Sequence, residues 1–197
     1  LKEYLKNYDW HIDIPEIIHV DLMKVLKEYL VVGGMPVAVS SWIANQAPEQ
    51  IAQIHLDLLA TYREDFSKYS GRLDVGHLEE LMSAVPRQLG AKFVYSQVNS
   101  EVSSAPLKQA LSLLSKARIC HQILASAANG LPLGAETNDR FKKVIMLDCG
   151  LCGASLGLSL HQMISVSELI MINNGAVAEQ FVGQQLRALV PAYESPL

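Results

Sequence analysis

The sequence predicts a mainly α-helical protein with a small β wing, and three features carry that prediction. Apolar residues recur at helical spacing through most of the chain up to Ala117. The serine-rich stretch "SEVSSAP" interrupts two such runs as the turn of a helix-turn-helix would. Two β-prone runs, "ICHQILAS" and "FKKVIMLD", follow at once, joined by the polar "AANGLPLGAETNDR". A strand, a loop and a strand behind a helix-turn-helix make a wing. The chain therefore divides into a helical connector at 1–73, a winged-helix domain at 74–150, and a further segment at 151–197.

The opening "LKEYLKNYDW" has a helical rhythm, and "DLMKVLKEYLVVGGMP" sets Leu22, Val25, Leu26, Tyr29 and Leu30 on one side. Gly33 and Gly34 end that helix, and Pro36 suits the first turn of the next. From "PEQIAQIHLDLLATYREDFSKYSGR", Ile51, Ile54, Leu58, Tyr62, Phe66 and Tyr69 form one face, while Asp57, Arg63, Glu64 and Lys68 form a solvated one. "DVGHLEELMSAVPRQLG" turns Leu78, Leu81, Met82, Val85 and Leu89 inward until Pro86 ends or kinks it. A short apolar helix is expected over Phe93 to Val98. The second helix of the motif, capped by Ser103 or Ser104 and begun near Pro106, buries Leu107, Ala110, Leu111, Leu114 and Ala117.

Composition narrows the function. Of the 197 residues 50% are hydrophobic and 18% charged, enough for a packed core, and the formal charge of −4 excludes a globally basic nucleic-acid binder. A local basic face is still open. Cys120, Cys149 and Cys152 make an odd set without an apolar leader, which points to a reducing cytoplasm rather than a disulfide scaffold. "VIMLDCGLCGASLGLSL" carries Asp148, is broken by glycines and is shorter than the roughly 20 residues of a membrane span.

Three patterns imitate chemistry. "CGLC" has C-x-x-C spacing, but only Cys120 and His121 could complete a metal set, so structural cysteines are expected. "GASLG" has the G-x-S-x-G form about Ser155, but the strand ends before it, and His161 is out of order for a triad. No phosphate-loop motif and no H-E-x-x-H occurs. No metal site and no cofactor is expected within the segment.

What remains is cationic. Lys108, Gln109, Ser112, Ser115 and Lys116 face outward on the second helix, with Arg118 at its end. Arg87 and Lys92 precede the motif, and Lys142 and Lys143 enter the second wing strand. In a helix-turn-helix, lysines there meet phosphates, while glutamine or arginine reads base edges. The same lysines also suit a soluble module that binds a protein partner, and both readings stay open.

Six stretches in order, "YLVVGGMPVAV", "LLATYREDFSKYSGR", "VPRQLGAKFVYSQVN", "LKQALSLLSKARI", "FKKVIMLDCGL" and "GAVAEQFVGQQLRAL", resemble the carboxyl-terminal part of prokaryotic predicted ATPases of the AAA superfamily. The resemblance implies an ATPase module upstream, with ATP and magnesium as its cofactors. It also implies that 151–197 begins a truncated restriction-endonuclease-like α/β domain whose first helix offers Glu179. Missing strands would supply that acid's partners, so no active site is complete. Phe181, Leu186 and Leu189, left without a sheet, would favour self-association.

Overall fold

The computed structural model describes residues 2–9, 11–69, 73–127, 129–130, 136–157 and 175–189. Helix α1 (Lys2–Lys6) is a single short helix, and α2 (Glu16–Val32) buries only its last turn, Leu30, Val31 and Val32. Val25, expected inward, is exposed because the body of α2 lies outside the core that its end reaches. Gly33 closes the helix at φ 71, its N–H donating to the Tyr29 carbonyl at 2.7 Å. A residue with a side chain rarely adopts that left-handed conformation.

Helices α3 (Pro36–Asn45) and α4 (Pro48–Phe66) each open on proline, where a missing N–H costs nothing. The buried line of α4 is Ile51, His55, Leu59 and Phe66. Ile54, Leu58 and Tyr62, expected on the inward face, flank that line half-buried. A histidine at its centre had masked the phase of the apolar signal. Helix α5 (Val75–Arg87) is capped by Asp74, whose carboxylate accepts from Gly76 N at 2.8 Å. Leu78, Leu81, Met82, Val85 and Leu89 are all buried as their spacing predicts, and the helix stops one residue after Pro86.

The helix expected over Phe93 to Val98 is instead a short 3₁₀ turn at Tyr95–Gln97. Phe93 is extended against the wing, its N–H donating to the Lys142 carbonyl at 2.8 Å. Backbone pairing with a strand thus wins over a weak local helical preference. Helix α6 (Ser104–Lys116) buries Leu107, Ala110, Leu111 and Leu114, while Ala117 lies just past its end and is exposed. It finishes with Ile119 N to Leu114 O and Arg118 N to Ser115 O, both 3.0 Å, the paired bonds of a Schellman motif. Arg118 holds the left-handed position of that motif at φ 60.

Strands β1 (Cys120–Ser126) and β2 (Thr137–Met146) form an antiparallel pair with Cys120 opposite Met146 and a bulge between Leu124 and Ala125. With α5 and α6 they make the expected helical unit with a small β wing. Helix α7 (Cys149–Ser155) and helix α8 (Gly175–Leu189) complete the fold. No helix among the described residues is long and apolar enough to cross a membrane.

One hydrophobic cluster joins Leu59 and Phe66 of α4, Leu78 and Leu81 of α5, Leu111 and Leu114 of α6, Val144 and Ile145 of β2, and Leu151 and Cys152 of α7. Residues from all three segments expected from the sequence therefore share a core. Asp148 ties the same segments together. Its Oδ1 accepts from Gly150 N at 2.9 Å and Leu151 N at 3.1 Å, capping α7. Its Oδ2 accepts from Gly34 N at 2.6 Å and from Gln184 Nε2 at 3.2 Å.

Helix α8 docks through amides. Gln180 is buried, its Nε2 donating to Met146 O at 2.9 Å and its Oε1 accepting from Met146 N at 2.8 Å. Both ends of the amide are satisfied, so its burial carries no unpaired polar group. Gln184 accepts from Cys149 N at 2.8 Å and donates to the Tyr29 hydroxyl at 3.0 Å. Gly183 brings the helix onto β2, where an added Cβ would stand 2.9 Å from Ile145 Cδ1.

Candidate nucleic-acid interface

Between α6 and the wing runs a groove of about 930 Å³. Lys108, Ser112 and Lys116 border it from α6, Arg118 from the turn that follows, and Arg140 and Lys142 from β2. Lys92 and Arg187 also line it, and among the described residues Asp139 is the one acid that does. Among its described residues, this acidic chain gathers seven cations on one surface. The net negative charge is carried elsewhere, so it does not weigh against an anionic ligand here.

Five of the residues singled out by sequence, Lys92, Lys108, Lys116, Arg118 and Lys142, share this groove. Gln109 lies over the crest of α6, in a neighbouring groove of about 400 Å³ lined by Leu73 and Leu113. Arg87 is exposed at the end of α5 and lines neither groove. Lys108, Ser112 and Lys116 line both, so they form a ridge with a depression on each side. They recur every fourth residue, about 6 Å of helix axis apart.

The ridge is braced against the wing. Ser115 donates to its own helix at Leu111 O, 2.8 Å, and accepts from Gln122 Nε2 at 2.9 Å. Gln122 in turn accepts from Lys142 Nζ at 3.1 Å. Helix, first strand and second strand are thus joined by one line of side chains, which fixes the spacing of the cations. Lys92 lies over the Phe141 ring, 3.8 Å from its centroid, a cation–π contact that orients it along the wing.

The crowding of charge leaves its mark. Burial holds Lys142 below the usual lysine range and Lys108 adds to that, while Asp139 opposes them. His121 is likewise lowered, first by burial, then by Arg187 and Arg118. An anion entering the groove would relieve these repulsions.

Arg140 and Arg187 were not singled out by sequence, and His121 was named there only as a possible metal ligand beside "CGLC". Arg140 sits in a stretch read as loop but belongs to β2, whereas Arg187 lies on a helix assigned to another segment. Helical spacing could have marked Arg187 as surface, but nothing local links it to a groove formed by α6 and β1.

The patterns that imitate chemistry have structural places. Cys120, Cys149 and Cys152 are free and buried, and burial pushes each thiol up to about 12. Such thiols are poor nucleophiles at neutral pH. Ser155 donates to Leu151 O at 2.9 Å inside α7. His161 lies outside the described residues. Glu179 pairs with Lys143 of β2, Oε2 to Nζ 2.5 Å. No cluster of three or more potential metal ligands occurs among the described residues.

The model of a family described as a domain of unknown function, DUF8612, matches residues 23–162. The chain belongs to that family. Neither the curated proteins nor the solved structures include a match. The DUF8612 span runs from within α2 through α7 and takes in every groove cation except Arg187 of α8. The ridge, its brace and most of its charge are therefore features of the DUF8612 region.

Proposed function

We propose that this DUF8612 chain is a non-catalytic recognition module that grips duplex DNA, with α6 in the major groove and the wing along the flanking backbone. The observation that carries the reading is the ridge: Lys108, Ser112 and Lys116 stand between two depressions, beside cations from four other parts of the chain. A major groove about 12 Å wide admits one helix, and the phosphate wall on the wing side then faces the cations of the larger groove. Gln109, on the far side of the ridge, is the side chain available to read a base edge.

The resemblance to AAA-superfamily ATPases supplies the wider setting of this proposal. In that setting an upstream module binds ATP and magnesium, and residues 1–73 couple it to the winged helix. A nuclease-like tail containing Glu179 belongs to the same setting; its pairing with Lys143 favours a positional role for this acid. A protein partner is the second reading, favoured by Val182, Leu186 and Leu189, which are exposed on α8.

The test is fluorescence anisotropy with a short labelled duplex at two salt concentrations, for the wild type and Lys108→Gln/Lys116→Gln. Salt-sensitive binding, with the slope of log K against log salt reduced by about two in the double variant, is expected. No duplex binding by the wild type even at low salt would overturn the reading and favour the protein partner.

A further inference from the structure

The β ribbon is irregular where it borders the groove. Its register passes from Leu124 opposite Lys142 to Ala125 opposite Asn138, so Asp139, Arg140 and Phe141 stand opposite no residue of β1. A bulge of this kind breaks the alternation of a strand and re-aims its side chains. Asp139 and Arg140, consecutive in sequence, accordingly line the groove together, whereas Phe141 does not line it.

Phe141 is left on the surface, 48% exposed. Among the described side chains it is the one exposed aromatic, and it belongs to none of the hydrophobic clusters they form. Its companion is a cation of the groove, Lys92, whose ammonium stands 3.8 Å from the ring centroid. Its chain neighbours Arg140 and Lys142 line the groove as well. An exposed ring bordered by these cations offers a nucleotide both things it needs, a π face for the base and positive charge for the phosphates.

The position of the ring decides which base can reach it. Phe141 lies part-way along β2, set back from the end of the ribbon where Ser126 faces Thr137. A wedge that pries a base step open must lead the contact, and this ring does not. We infer that Phe141 is a stacking platform for an unpaired base, so that the protein takes a duplex with a single-stranded overhang in preference to a blunt one. This rests on the DNA reading above and deepens it. Stacking is worth more than an exposed cation–π contact, so a base can take the place of Lys92 on the ring and release that ammonium to the phosphate beside it.

Fluorescence anisotropy with one labelled duplex, either blunt or extended by a short overhang, tests the platform. The wild type should bind the overhang form about tenfold more tightly than the blunt form. Phe141→Leu should lose that preference. Its affinity for blunt duplex, its salt slope there and its melting temperature should stay those of the wild type, because the ring is partly exposed and uncharged. Phe141→Trp should keep the preference. An overhang of abasic nucleotides, which keeps the phosphates and removes the bases, should bind no better than blunt duplex.

Equal affinity of the wild type for the blunt and overhang forms overturns the platform and leaves the duplex reading standing. So does an overhang preference that survives in Phe141→Leu or that abasic overhangs reproduce, since the ring or the bases would then be dispensable. Binding of the overhang form without the blunt one would keep the platform and overturn the duplex reading. If the wild type binds neither, both fall.

Discussion

Asp148 and Gly33 are fitted to one another: a Cβ on Gly33 would stand 2.1 Å from Asp148 Oδ1, and Gly33 also holds φ 71. The turn after α2 can approach the carboxylate only as bare backbone. Gly33→Ala meets both the left-handed strain and the collision, so a loss of about 3 kcal/mol is expected. Urea unfolding measures it. A loss below about 1 kcal/mol would mean that the turn relaxes away from Asp148.

Both oxygens of Asp148 accept hydrogen bonds, Oδ1 from Gly150 and Leu151, Oδ2 from Gly34 and Gln184. An amide in its place must turn an NH₂ toward two donors, whichever way it is flipped. Asp148→Asn should therefore destabilise nearly as much as Asp148→Ala, by about 2 to 3 kcal/mol in each case. An isosteric variant of wild-type stability in urea would mean that the carboxylate's charge and second acceptor are dispensable.

His55 is buried with Nε2 donating to Val32 O at 3.1 Å, and burial lowers its pKa despite that bond. Below the ordinary histidine pKa of about 6.5 the unfolded chain takes up a proton that the folded chain resists, so stability falls as pH drops through that range. It is fully present above. The urea midpoint should decrease from about pH 8 to about pH 5, and His55→Gln should flatten the decrease. His121, also lowered, contributes with the same sign and leaves a residual slope. A midpoint independent of pH would contradict the assignment.

The Lys143–Glu179 pair is partly open to solvent, with side chains 45% and 30% exposed. Such pairs contribute little, so Glu179→Gln should lower stability by less than about 1 kcal/mol. Magnesium should leave the melting curve of the wild type in place. A magnesium-dependent rise abolished by Glu179→Gln would instead make Glu179 a metal ligand.

The helices of the central unit were legible because each repeats its inward residues in register with its own turn, as Leu78, Leu81, Met82 and Val85 do. The wing was legible from β-prone runs behind a helix. What one strand of text does not record is which faces meet. The carboxylate of Asp148 reaches Gly34 across 114 positions, and no spacing rule spans that distance. Phe93 was misread because its conformation is set by Lys142 of β2, not by its neighbours. Five groove cations were found because they lie on or beside the helix-turn-helix in sequence, whereas Arg187 needed the packing of α8 to bring it there.

That packing has one more consequence. Gln180 offers Met146 an acceptor and a donor as a neighbouring strand would, and Phe93 occupies Lys142 further along β2. The strand's outward groups at these two points are thus already taken. A two-stranded ribbon is otherwise a template for another chain, and the usual outcome of an open template is fibre or aggregate. Helix α8 therefore acts as a stopper, and a version of this protein cut before Gly175 should lose solubility before it loses helicity.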